Sequence, residues 1–176
     1  LTNEQLLDIA NDLRQKIETG LQHDGHEIKC LPTYIHPNKD GISGMATVFD
    51  LGGTNFRAAV VSVGGETKIL GIAEKDITGM KTDGFTQEDL FDSQAQTINR
   101  LALPADSPIG YCFSYPARSL TNGDAELINW TKGVSIAGMA GKPIGVHLVD
   151  YLNKNPVRNF YKISVVNDTI TCLFAV

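Results

Sequence analysis

The chain has 176 residues, 42% of them hydrophobic and 20% charged, with a net charge of −5. That length suits one domain or part of a two-domain enzyme, and it can bury roughly 70% of the unfolded surface. The acidic balance argues against nucleic acid and anionic membrane as partners, and no apolar run reaches membrane-spanning length. Cys30, Cys112 and Cys172 are widely spaced and odd in number, which predicts reduced thiols in a cytoplasm and not a disulfide framework or a zinc site.

Thr2 and Gln5 form a capping box, and Leu6, Ala10, Leu13 and Ile17 recur at helical spacing, so a helix is expected to end near Gly20. It is amphipathic, unlike a signal peptide. His23-Asp24-Gly25-His26 reads as a solvated polar turn. Pro37 and Gly41 mark an irregular passage into a strand at Met45–Phe49, followed by a tight turn and a second strand from Ala58 to Val63. Gly64-Gly65 turns the chain into a third antiparallel strand from Thr67 to Ile77. Thr86 with Asp89 caps a helix whose buried stripe is Leu90, Phe91, Ala95, Ile98 and Leu101, and which Pro104 and Pro108 stop. A buried strand at Ile109–Phe113, a hairpin around Asn122-Gly123 and a short helix from about Pro143 to Asn153 come next. Ile163–Val166 is the last strand, and Asn167-Asp168-Thr169 caps a helix cut off at Val176. The order predicts an α/β fold with an antiparallel meander at one edge. The chain opens on a residue other than Met and stops as a helix begins, which reads as part of a longer protein.

The chemistry concentrates first in Asp50-Leu51-Gly52-Gly53-Thr54-Asn55-Phe56-Arg57, between the first two strands. Gly-Gly-Thr-Asn alone is a structural hairpin, since glycine supplies positive φ at no steric cost. Its neighbours favour a nucleotide-phosphate cradle: Asp50 for a hydrated metal, and bare backbone with hydroxyl and amide side chains for phosphate oxygens. Arg57 either neutralises phosphate charge or pairs with a surface acid. A Walker A loop is excluded because no Gly-Lys-Ser/Thr follows, and a dinucleotide fold because no third glycine opens a helix.

Three further stretches follow in order: Phe113-Ser114-Tyr115-Pro116, Leu127-Ile128-Asn129-Trp130-Thr131-Lys132-Gly133 and Val166-Asn167-Asp168-Thr169, with Leu31-Pro32-Thr33-Tyr34 ahead of them. Together with DLGGTNFR they resemble the hexokinase branch of the actin, sugar kinase and Hsp70 superfamily, over nearly the whole chain. The resemblance implies a ribonuclease H-like (actin-like ATPase) fold, mainly the small domain of a two-domain hexokinase. Residues 45–166 would form that domain, and 1–44 and 167–176 would belong to the large one. It implies ATP and Mg2+ as cofactors and a hexose, glucose foremost, as substrate, phosphorylated at its 6-hydroxyl.

In that picture Ser114, Thr131, Lys132 and Asn167 bind the sugar, whose hydroxyls each need a polar partner. Asp168 is the catalytic base, since transfer to an alcohol needs a carboxylate within reach of the attacking hydroxyl. Its ordinary role would be a helix cap, and a helix N-terminus favours its ionised form. Asp50 holds Mg2+ through water, and Gly52, Gly53, Thr54 and Asn55 wrap the phosphates. Read without the resemblance, Ser114 is a strand-end residue, and Thr131 and Lys132 lie in a solvated loop. Thr171 departs from the family, which usually has glycine there. A hexokinase-like protein that senses sugar without catalysis is the alternative. An Hsp70- or actin-like ATPase leaves the Trp-Thr-Lys-Gly and Phe-Ser-Tyr-Pro segments unexplained.

Overall fold

The computed structural model describes residues 1–35, 41–102, 106–154, 160 and 162–173. Pro37, Pro104 and the expected run of the last helix to Val176 lie outside the described residues. Two compact units emerge, Leu1–Pro32 and Thr33–Val176.

The first unit is built on helix α1 (Asn3–Gln22), opened by the expected Thr2–Gln5 capping box. The helix runs two residues past the predicted end at Gly20. A Cβ on Gly20 would lie 2.0 Å from the Ile28 carbonyl oxygen. Gly20 therefore serves close packing of the returning chain and does not end the helix. Cys30 Sγ, 3.6 Å from the Ile17 carbonyl, reinforces that return. None of the helix's residues is buried.

The second unit holds a five-stranded sheet in the order β3-β2-β1-β4-β7. The meander is β1 (Gly44–Leu51), β2 (Asn55–Val63) and β3 (Lys68–Asp76). Gly64 and Gly65 both take positive φ in its second turn, where β-branched residues would be strained. β4 (Ile109–Phe113) and β7 (Ile163–Val166), bounded as expected, run parallel to β1 and to each other. β3 stops at Asp76, one residue short of expectation. Asp76 Oδ1 there accepts from the N–H and hydroxyl of Thr78, starting an unforeseen 3-10 turn at Thr78–Lys81. A small second sheet pairs β5 (Ala117–Ser119) with β6 (Ala125–Leu127) around Asn122-Gly123.

Helix α2 (Gln87–Ile98) carries the predicted capping box and ends at Asn99, well before Pro108. Leu101, expected on its stripe, is buried just beyond it. The Asp89 carboxyl is held below its ordinary value by the Thr86 hydroxyl first and then by the Thr86 N–H. A carboxyl depressed in the folded state stabilises above its unfolded pKa, and that contribution is lost as pH falls through the folded value. Asp89→Asn should therefore lose less melting temperature than the wild type on acidification from about pH 5 into that range. Equal losses in the two proteins would remove the charge from this cap.

Helix α3 (Gly145–Asn153) begins two residues after Pro143, which is held in a bridge to Glu126. Both α2 and α3 contact the sheet and each other. Side chains alternate across a strand. Phe49, Leu51, Tyr111 and Phe113 thus enter the core with Leu90, Ile98 and Leu148, while Asp50 and Cys112 project from the opposite face. Rings form a continuous line through that core, Phe56–Phe49–Tyr111–Phe113–Tyr115–Trp130, with centroids 4.8–5.7 Å apart. Each contact of this type adds about 0.5–1.5 kcal/mol beyond area burial. The line ends beneath the loop that carries Thr131 and Lys132.

Candidate active site

Parallel strands at the centre of a sheet deliver their C-terminal ends to one edge, where loops can converge on a ligand. Here the register is Asp50 beside Cys112 and Cys112 beside Val166. Asn167 and Asp168 follow directly and open α4 (Asp168–Leu173). Burial first pushes the Cys112 thiol above its ordinary value; the charges of both Asp50 and Asp168 add to this, against an opposing hydrogen bond with Thr171. One thiol thus feels both carboxylates. The expected base, Asp168, and the expected metal-holding acid, Asp50, lie on either side of it.

The glycine hairpin sits over this edge. Gly52 spends its own N–H on the Asn55 carbonyl, 3.0 Å away, so that donor closes the turn. Tyr115 donates its hydroxyl to the Gly52 carbonyl at 3.0 Å, and Ser114 N–H donates to the Leu51 carbonyl at 3.2 Å. A Cβ on Gly53 would come within 3.2 Å of Lys132 Cδ, so the two loops pack closely where they meet. Thr54 is exposed and Asn55 half-buried. Arg57 pairs with Asp50 at 3.3 Å and Glu74 at 3.1 Å. All three are well exposed, and each such pair contributes about 0–1 kcal/mol.

Lys132 is the described non-glycine residue with positive φ, 58°, and Gly133 follows at 78°. Such a conformation in a lysine persists only where the surroundings enforce it. The enforcement is visible: Lys132 Nζ donates to the Ser114 carbonyl at 2.7 Å and lies 5.2 Å over the Tyr115 ring. Trp130 stands edge-on to Tyr115 and donates its indole N–H to the Ile136 carbonyl at 3.0 Å. Thr131, half-buried, anchors the turn through its carbonyl, which accepts from Val134 N–H.

Asn167 works in two directions. Its Nδ2 donates to the Phe113 carbonyl at 3.4 Å, and its Oδ1 accepts from the N–H and hydroxyl of Thr169. Asp168 accepts the Thr169 N–H at 2.9 Å. The four motifs thus meet through direct contacts, Gly52 to Tyr115 to Lys132 to Ser114 and Phe113 to Asn167. The hexokinase family model matches this chain over residues 1–176. The chain belongs to the hexokinase family.

This hexokinase-family chain is 33% identical to hexokinase HKDC1 of Mus musculus over 97% of its length, and 31% identical to hexokinase-2 of Homo sapiens over 99%. It spans about a fifth of those relatives, 20% and 21% respectively. The solved hexokinase from Schistosoma mansoni complexed with glucose superposes with a TM-score of 0.82 at 28% identity, over 98% of this chain and 41% of that one. The α/β fold is accordingly the ribonuclease H-like, actin-like ATPase fold.

Two contributors carried no assigned role in the sequence, Tyr115 and Cys112. Tyr115 lay inside a recognised motif, and the need of a buried phenol for a partner was its signal. Cys112 could have been found by aligning strand ends, because it is the penultimate residue of β4 as Asp50 is of β1. A cavity of about 670 Å3 between α2 and α3, lined by Glu88, Asp92, Tyr151 and Phe160 among others, includes none of the motif residues.

Proposed function

We propose that this chain supplies the acceptor-activating and phosphate-gripping wall of an ATP-dependent hexokinase that phosphorylates glucose or a related hexose at its 6-hydroxyl. The observation that carries the reading is the placement of Asp50 and Asp168 on either side of Cys112, at the C-terminal ends of three successive parallel strands, β1, β4 and β7. Residues 45–166 then act as the small domain, with 1–44 and 167–176 assigned to the large one.

Ser114, Thr131, Lys132 and Asn167 bind the sugar hydroxyls. Lys132 uses one N–H on the Ser114 carbonyl and has two more to offer. Asp168 accepts the proton of the attacking hydroxyl, held in place by its Thr169 contact. The glycine turn and Asn55 lie against the nucleotide's phosphates, with Thr54 and Arg57 alongside.

A single part-exposed carboxylate suits Mg2+, which keeps most of its waters and takes one or two carboxylates plus phosphate oxygens. Asp50 fits that donor set and would hold the ion through water, and the ion would neutralise charge on the transferred group. Three free cysteines, Cys30, Cys112 and Cys172, support cytoplasmic residence. The non-catalytic reading rests on Thr171, where the family usually has glycine. Release of ADP, followed in a coupled assay on the full-length protein, should depend on added glucose. Glucose binding without ADP release would select the sensor reading instead.

A further inference from the structure

The departure at Thr171 has a structural counterpart. Its hydroxyl donates to the Asp168 carbonyl at 2.7 Å and lies 3.4 Å from Cys112 Sγ. The hydroxyl thus links Cys112 Sγ to the main chain of Asp168. The Thr171 N–H donates to the Asn167 carbonyl at 3.0 Å. The side chain is thereby turned back onto β4, and it is half-buried there.

The first turn of α4 rests against β4 through this anchor. Cys112 is a firm one, because it sits in register between Asp50 and Val166 in the central ladder. Glycine at position 171 could make neither contact.

We infer that Thr171, anchored on Cys112, is a positioning residue that fixes the backbone of Asp168 and so the aim of its carboxylate. This deepens the reading of Asp168 as base and rests on it.

The test uses the full-length protein. Thr171→Val keeps the shape and removes the hydroxyl; it should lower kcat about ten-fold while the hexose KM stays within about two-fold, as expected for a group displaced but still present. Thr171→Ser, which retains the hydroxyl, should restore most of the turnover. Cys112→Ala should give a smaller loss of the same kind, not additive with Thr171→Val, and carries the test if Thr171→Val melts early. Amide exchange across 167–172 should quicken several-fold in Thr171→Val and return toward wild type in Thr171→Ser.

Unchanged exchange and kcat in Thr171→Val, or a serine variant as impaired as the valine, would overturn the positioning role. Near-normal turnover in Asp168→Ala would instead remove the base assignment. With an inert wild type, the exchange measurement still decides whether Thr171 holds this turn.

Discussion

Asp168→Ala in the full-length protein is expected to abolish measurable turnover while hexose binding persists. General-base catalysis is worth about 10²–10⁴-fold, and the lost carboxylate has no described neighbour placed to replace it. Asp50, the other acid near Cys112, is held by Arg57 and belongs to the hairpin side of the edge. Sugar binding should survive because Ser114, just past β4, and Thr131 and Lys132, in the Trp130 loop, are held by the Lys132–Ser114 and Trp130–Tyr115 contacts, which do not involve Asp168. The informative pair of measurements is kcat by ADP release and the hexose dissociation constant by tryptophan fluorescence. Retained turnover would refute the role of base; simultaneous loss of sugar affinity would make Asp168 chiefly a ligand.

The largest stability effect should fall on Asp124, which belongs to none of the four motifs. Its carboxylate is buried and accepts three backbone N–H groups, those of Ala125 at 2.7 Å, Gly145 at 2.6 Å and Val146 at 2.9 Å. It closes the β5–β6 turn and caps α3 across 21 residues of sequence. Asp124→Ala orphans all three donors, at about 1–3 kcal/mol for each one left without water, so a loss of about 3–5 kcal/mol is expected. Asp124→Asn keeps one acceptor and should lose less. Gly145→Ala should also destabilise, because a Cβ there would lie 2.6 Å from both Asp124 Oδ1 and Ile163 Cγ2. Urea unfolding would show a lowered midpoint at unchanged slope. A loss under about 1 kcal/mol would mean that water reaches these amides, against the burial seen here.

These two aspartates show what could be read from the sequence. Asp168 is legible because it lies in a short contiguous motif at the junction of a strand and a helix, where local rules apply. The same holds for the strand ends Ile109–Phe113 and Ile163–Val166 and for both capping boxes. Asp124 is opaque because its partners come from a helix reached only after the chain has folded back. Gly20 misled for the same reason: its meaning lies in the approach of Ile28, which helix statistics cannot contain. Asp76 was nearer the surface of the text, since an Asp two residues before a Thr is a known turn starter. Lys132 was assigned by its ammonium group, and its left-handed backbone, followed by Gly133 at positive φ, could not be read from that.

The ladder that joins β1, β4 and β7 acts as a gauge. Asp50 and Val166 are separated by two inter-strand steps, so their backbones stand about 10 Å apart whatever the side chains do. Substitution can alter the charge at either end of that span but not its length. Resizing it would take an inserted residue and a slipped register, which would also turn the aromatic line inside out.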